Sequence, residues 1–125
     1  MLIESLTPEA PLGRPVQIVY HEYDDSIFAD GVYLIKGMAG RILWLVLTVY
    51  MATGRSMFSN RELRLHPFLK LSPWKSNLEA RLLLLQRRLD KKAAAFRLSR
   101  ERRGQVDFLC AVQLELNLAK MQPQL

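Results

Sequence analysis

The segment FADGVYLIKGMAGRILWLVL, residues 28–47, is where the pattern of apolar residues changes from strand-like to helix-like. Asp30-Gly31 stands between two short apolar runs, a strong signal for a tight β-hairpin because its turn needs positive φ at the central residues. From Ala39 onwards the chain is apolar on nearly every helical face, and Gly54 is a typical C-terminal stop. The segment therefore predicts a β-hairpin that leads directly into a first helix.

The residues before this segment predict one further strand. PVQIVYHEY, residues 15–23, is rich in β-branched and aromatic residues, and the DDS that follows is typical of a turn. The first 37 residues thus predict a short leader, residues 1–14, and a three-stranded antiparallel meander. Because a helix that is apolar all round must be covered on more than one side, we expect the meander to cover one side of the first helix and later helices the other.

Two further helices are predicted downstream. Ser59 is followed three residues later by Glu62, which is the spacing of a capping box, so a short second helix starts there. The prolines of HPFLKLSP then bracket a loop that no long helix could cross. The third helix is predicted to begin at about Trp74 or Ser76 and to end at Lys92.

The residues after the third helix predict a β-hairpin with an arginine-rich tip. Gly104 marks the turn, and apolar residues alternate with polar ones on both sides of it: Phe96 and Leu98 before the turn, and Val112, Leu114, Leu116 and Leu118 after it. A helix over residues 108–118 is the alternative. The predicted fold class is α+β: a sheet, a helix, a short helix, a loop, a longer helix and a basic hairpin.

Length and charge bound the class of protein. The chain has 125 residues, of which half are hydrophobic and about a quarter charged, so we expect one domain over residues 15–118 and a C-terminal tail over 119–125. The formal net charge is +6, although residues 1–36 contain six acidic and only two basic residues. The basic remainder suggests a face that binds a polyanion, and an ordinary solvated basic surface is the alternative.

Several functional classes find little support in the composition. A single cysteine, Cys110, excludes an internal disulfide and a cysteine-rich zinc site. The longest apolar run, residues 42–52, is shorter than the roughly 18 to 20 residues that span a bilayer, so we expect a soluble cytoplasmic protein with no membrane partner. His21 and His66 are far apart, and no catalytic or metal-binding spacing surrounds them. We therefore expect no enzyme, no cofactor and no metal site.

The order of these elements resembles the winged helix-turn-helix domain of OmpR/PhoB-type bacterial transcription regulators. Residues 28–47 resemble the family's hairpin leading into the first helix, FSNRELR (residues 58–64) resembles its S-R-E-x-L second-helix start, and RRG (residues 102–104) resembles the R-G of its wing. The resemblance covers about residues 15–118. It implies that the third helix lies in the major groove of DNA and that the C-terminal hairpin, the wing, touches an adjacent groove.

The chain also departs from the family's pattern. The family normally joins this domain to a phosphate-receiving domain, for which 125 residues leave no room. The resemblance therefore implies a stand-alone or adaptor version, or one whose signal arrives through a partner protein. The typical wing ends in a Gly-Tyr pair after its R-G, whereas this chain continues QVDF, so a wing of different shape is an open alternative.

The third helix is predicted to have two contrasting sides. At about 100° per residue, one narrow arc is a core stripe, formed by Leu78, Leu82, Leu85 and Leu89. The opposite arc has the composition of a groove-facing surface and contains Asn77, Ala80, Arg81, Leu84, Arg87, Arg88 and Lys91. An ordinary solvated basic face is the alternative.

The predicted DNA-binding residues come from this helix, the loop before it and the hairpin: Lys75, Asn77, Arg81, Leu84, Arg87, Arg88, Arg100, Arg102 and Arg103. Asn77, Arg81 and Arg88 would enter the major groove, while Lys75 and the hairpin arginines would neutralise phosphates. The alternative for those arginines is a charged edge that prevents strand aggregation. Leu84 would contact either a thymine methyl group or another protein.

Two functions follow as expectations. The first is a transcriptional regulator that binds double-stranded DNA as a homodimer on paired half-sites. The second is a protein-interaction or dimerisation module on the same fold, an adaptor in signalling with little or no DNA binding. Leu83 and Leu84 motivate the second, because they are apolar where the family prefers polar residues.

Overall fold

The computed structural model describes residues 14–72, 77–92 and 95–119. These ranges contain three helices and seven strands: β1 (Val16–His21), β2 (Ser26–Ala29), β3 (Val32–Ile35), α1 (Gly37–Thr53), β4 (Met57–Ser59), α2 (Asn60–Leu65), α3 (Leu78–Lys92), β5 (Phe96–Ser99), β6 (Gln105–Cys110) and β7 (Leu114–Ala119). The strands form a four-stranded sheet of order β3-β2-β1-β7 and a three-stranded sheet of order β4-β6-β5. The chain is therefore α+β, as predicted.

The N-terminal meander is confirmed. Strand β2 pairs antiparallel with β1 on one side and with β3 on the other. Asp30 (φ 47°) and Gly31 (φ 82°) are both left-handed at the β2–β3 turn, as a primed turn requires. The backbone N–H of Gln17 donates to Asp30 Oδ1 (2.9 Å) and the Asp30 N–H donates back to the Gln17 carbonyl (2.7 Å). These two bonds anchor the turn to β1.

The last strand corrects the predicted hairpin. Gly104 does mark a hairpin, but its second strand is β6, and the alternating leucines that follow form a separate strand, β7. Strand β7 pairs in parallel with β1, from Val16 opposite Leu114 to His21 opposite Ala119. The alternative helix over residues 108–118 is also wrong. A parallel pairing joins distant parts of the chain, so no local turn signal announces it.

Helix α1 has the surroundings expected of a helix without a polar side. It contacts β2 and β7 of the four-stranded sheet and also α3. Its buried residues are Ala39, Gly40, Ile42, Leu43, Leu45, Val46 and Leu47. The helix ends as predicted at Gly54, which is left-handed (φ 78°) and donates its N–H to the Tyr50 carbonyl (2.8 Å).

The core joins both sheets to the helices. The predicted leucine stripe of α3 is buried, with no member more than 3% exposed. Helix α3 contacts α1 and β3, and it also contacts β5 of the hairpin. The hairpin contributes Phe96, Leu98, Val106 and Phe108 to the same cluster of buried residues.

A close backbone approach fixes α1 on the meander. A Cβ added at Gly40 would lie 1.9 Å from the carbonyl oxygen of Asp25, a residue held at φ 61° in the β1–β2 turn. The Asp25 carboxylate accepts hydrogen bonds from the Tyr20 hydroxyl and from Arg41 Nε (3.1 Å) and Nη2 (2.9 Å). The Tyr20 ring in turn stacks on Trp44, with ring centroids 4.7 Å apart. Strand β1, the turn and α1 are thus held together around one buried carboxylate.

The protonation states of this network suit its geometry. Burial and the hydrogen bond to Asp25 raise the pKa of Tyr20 far above its ordinary value of 10.0. The hydrogen bond to Asp25 likewise raises the pKa of Arg41. Both donors therefore keep their protons to a higher pH than they would outside this network.

We expect Gly40→Ala to destabilise the protein, because its methyl group must displace the Asp25 backbone. Overpacking of this kind costs about 1–3 kcal/mol. At an unobstructed helical site the same substitution would instead stabilise the protein by about 0.5–1 kcal/mol. The sign of the stability change therefore shows whether the Gly40 site is obstructed. Urea unfolding followed by circular dichroism measures the difference. An unchanged or raised midpoint would contradict the close approach.

Candidate nucleic-acid interface

Helix α2 begins with the predicted capping box. The Glu62 N–H donates to Ser59 Oγ (3.0 Å), and the Ser59 N–H donates to Glu62 Oε1 (2.8 Å). Glu62 also forms an ion pair with Arg55, whose guanidinium lies 4.7 Å from the centroid of the Phe58 ring. The start of α2 is therefore attached to the connection that follows α1.

The ion pair and the cap set the charge of Glu62. The hydrogen bond from Arg55 lowers the pKa of this carboxyl, burial opposes the change, and the backbone hydrogen bond from Ser59 lowers the pKa further. Glu62 is therefore more strongly ionised in the folded chain than in an unfolded one.

Helix α3 begins at Leu78, and Asn77 stands just before it. Asn77 is exposed and left-handed (φ 51°), and its carbonyl accepts the first helical hydrogen bond, from the Arg81 N–H (3.1 Å). Residues 73–76 lie outside the described part of the chain. They include Lys75, a predicted phosphate contact, and both predicted starting residues of the helix.

The outward side of α3 is basic with leucine among the charges. Leu84 is 49% exposed and the adjacent Leu83 is 40% exposed. Arg87 and Lys91 are also exposed, while Arg81 and Arg88 are half-buried on the flank. The helix contains five basic and two acidic residues in all. Helical geometry thus places four of the nine predicted DNA-binding residues on the outward side or its flank: Arg81, Leu84, Arg87 and Arg88.

The hairpin tip carries the second group of predicted residues. Arg102 and Arg103 are both exposed, directly before Gly104, which is left-handed at φ 70°. The Gln105 N–H donates to the Arg102 carbonyl (3.2 Å) and the Asn60 N–H to the Gly104 carbonyl (2.9 Å). The arginine-bearing tip therefore touches the start of α2.

Strand β4 is a feature that sequence reasoning missed. Its three residues pair antiparallel with β6, with Met57 opposite Asp107 and Ser59 opposite Gln105. It leads directly into α2, so it fixes the hairpin beside that helix. Three residues are too few for an alternating pattern to stand out in the sequence.

Arg100 is placed differently from the arginines of the tip. Its side chain is 20% exposed and forms an ion pair with Glu79 of α3, which is itself 68% exposed. Asn60 also donates a side-chain hydrogen bond to Glu79. The structure therefore directs Arg100 towards α3, whereas Arg102 and Arg103 are exposed, with Arg102 Nη1 3.8 Å from Met57 Sδ. The sequence contained no signal for this pairing beyond the opposite charges.

The two histidines make local contacts. The His21 ring packs edge-on against Tyr23 and Phe28. His66 Nδ1 accepts a hydrogen bond from the Phe68 N–H (3.1 Å) just after α2. Across the described ranges, no group of three His, Cys, Asp or Glu side chains could hold a metal ion. In the same ranges, no helix combines the length and apolar character needed to cross a membrane.

Comparisons of the chain with protein-family models, curated proteins and solved structures give no match. The geometry of α3 and the hairpin is therefore the basis for a functional proposal.

The lowered pKa of Glu62 predicts a pH-dependent contribution to stability. Its effect should be fully present above the ordinary pKa of 4.5 and should be lost as pH falls through the lower folded value. We expect the free energy of unfolding of wild type to exceed that of Glu62→Gln by up to about 1 kcal/mol at pH 7. The difference is modest because the Arg55–Glu62 ion pair is partly exposed. Urea unfolding from pH 7 to pH 3 should show the difference shrinking, and a constant difference would contradict the assignment.

Proposed function

We propose that this protein is a DNA-binding transcriptional regulator with a winged helix-turn-helix fold of the OmpR/PhoB type. The observation that carries the proposal is the outward side of α3, where Arg87 and Lys91 are exposed beside Arg81 and Arg88 while the leucine stripe is buried. A helix anchored by one side, with arginine and lysine on the other, has the form of a recognition helix.

The order of elements supports this assignment. The capped α2 precedes α3, and the β5–β6 hairpin after α3 corresponds to the wing. The hairpin is held beside both helices, by β4 next to α2 and by the contact of β5 with α3. Two basic groups on separate elements could then contact one duplex together, because the fold limits their relative movement.

The proposed roles follow from residue chemistry. Arg81 and Arg88 would reach guanine edges and Asn77 an adenine edge, since these side chains can form paired hydrogen bonds to those bases. Arg87, Lys91, Arg102 and Arg103 would neutralise phosphates, which gives affinity without sequence information. Leu84 would contact a thymine methyl group. We expect a homodimer on paired half-sites.

We expect the affinity for a mixed-sequence DNA duplex to fall steeply with salt, because binding would release counterions from the phosphates. Arg87→Ala and Arg102→Ala should each reduce the slope of log affinity against log salt by about 1. Arg14→Ala is the control, since it also removes an exposed arginine but one next to β1, remote from α3 in the sequence. Fluorescence anisotropy at several salt concentrations makes the measurement. A flat response, or no binding at low salt, would contradict the proposal.

The exposed pair Leu83 and Leu84 favours a second candidate, a protein-interaction or dimerisation module. Adjacent exposed leucines flanked by arginine have the composition of an interface centre with a charged rim. In this case the outward side of α3 would dock a second copy or a signalling partner instead of DNA.

The two candidates differ in what Leu84→Lys does. For the interaction module, this substitution should convert a dimer to a monomer, because it would bury a charge at the interface. The added positive charge should leave DNA binding intact or improve it if α3 faces DNA. Leu109→Lys is the matched control, since Leu109 is 45% exposed on β6. Light scattering after size exclusion gives the mass, and an unchanged mass with intact DNA binding would exclude the second candidate.

A further inference from the structure

We infer that Arg100 is a positioning residue, which fixes the hairpin on α3 through Glu79, and that it does not act as a phosphate ligand. Asn60, Glu79 and Arg100 form what we call the Glu79 cluster, and each comes from a different part of the fold: the first residue of α2, the first turn of α3 and the residue directly after β5. The consequence for DNA binding rests on the proposed function, but the positioning role does not.

The two carboxylate oxygens of Glu79 divide their bonds between the other two elements. Oε2 accepts from Asn60 Nδ2, and Oε1 accepts from Arg100 Nη2. Asn60 is also bonded to the hairpin through its backbone, whose N–H donates to the Gly104 carbonyl (2.9 Å). The cluster therefore connects α3, α2 and the hairpin in one continuous set of hydrogen bonds.

Burial distinguishes Arg100 from a phosphate ligand. Its side chain is only 20% exposed although its neighbours Glu101, Arg102 and Arg103 are all exposed. Asn60 Oδ1 and Arg100 Nε are buried and make no hydrogen bond within the described part of the chain. Glu79 is the acceptor that Asn60 Nδ2 and Arg100 Nη2 share, and its loss would leave these two donor groups without that partner.

The position of the tip follows from this cluster. Arg102 and Arg103 come two and three residues after Arg100, so a hairpin held at Arg100 presents them at a defined distance from α3. Contacts with one duplex from two elements gain affinity when the elements are already in place before binding. The cluster would therefore increase affinity although Glu79 is itself repelled by DNA.

The direction in which DNA affinity changes can distinguish a charge effect of Glu79 from a positioning effect. Removal of a carboxylate near DNA should strengthen binding if only charge matters, whereas removal of a positioning group should weaken it. Glu79→Gln keeps the shape of the side chain but removes its charge and replaces one acceptor oxygen with an NH₂ donor, so the present arrangement, with Asn60 on one oxygen and Arg100 on the other, cannot form. Glu101→Gln is the charge-matched control, because Glu101 is an exposed acid on the hairpin, directly after Arg100.

The first measurement uses the free protein. Hydrogen exchange followed by NMR reports the Asn60 and Gln105 amides, which bond to Gly104 and Arg102 at the tip. We expect Glu79→Gln to accelerate their exchange about two- to fivefold, a modest effect since Glu79 is largely exposed, while Glu101→Gln leaves the rates unchanged. Equal rates in wild type and Glu79→Gln would overturn the positioning role, whatever the DNA result.

The second measurement compares the affinities of the two variants for the same mixed-sequence duplex at low salt. We expect Glu101→Gln to bind more tightly than wild type and Glu79→Gln to bind about threefold less tightly. Equal tightening in both variants would overturn the effect of the cluster on DNA binding. If wild type does not bind the duplex and Glu79→Gln still accelerates exchange, the proposed function fails while the positioning role of Arg100 is supported.

Discussion

The structure depends on the burial of α1, a helix with almost no polar surface. Its apolar residues need cover from the four-stranded sheet on one side and from α3 on another, and α3 in turn carries the hairpin. Gly40 makes the tightest part of this arrangement possible, because only a residue without Cβ can lie against the Asp25 carbonyl. The carboxylate of the same aspartate holds Tyr20 and Arg41, so one turn joins the sheet to the helix through both its backbone and its side chain.

The orientation of α3 follows from that core. Four leucines at intervals of three or four residues are buried, and the rest of the helix must face outward as a consequence. The arginines and lysines of the outward side are therefore exposed both because they are charged and because the leucine stripe on the other side is buried. The hairpin then takes its place from three separate contacts: the pairing of β4 with β6, the packing of β5 on α3 and the Glu79 cluster.

Features encoded within a few residues could be predicted. The Asp30-Gly31 turn, the Ser59–Glu62 capping box and the leucine stripe of α3 all depend on residues that are adjacent or repeat at intervals of three or four positions. The long-range pairings could not be predicted. Strand β7 lies beside β1 although Gln17 and Glu115, which hydrogen-bond at 2.9 Å, are 98 positions apart. An alternating pattern marks a strand but does not identify its neighbour, which explains why the sequence predicts β7 as part of the hairpin.

The candidate interface divides in the same way. By itself the sequence determined that α3 has a leucine side and a basic side, and that arginines crowd the hairpin, because helical period and composition are local properties. Only the tertiary structure decided which of these charges are available. Arg102 and Arg103 face solvent, whereas Arg100 is turned towards Glu79, 21 positions away. The physical reason is that the core decides which helices and strands lie next to each other, and this decides the partner of each charged side chain. The order of charges along the sequence does not indicate which elements will be neighbours.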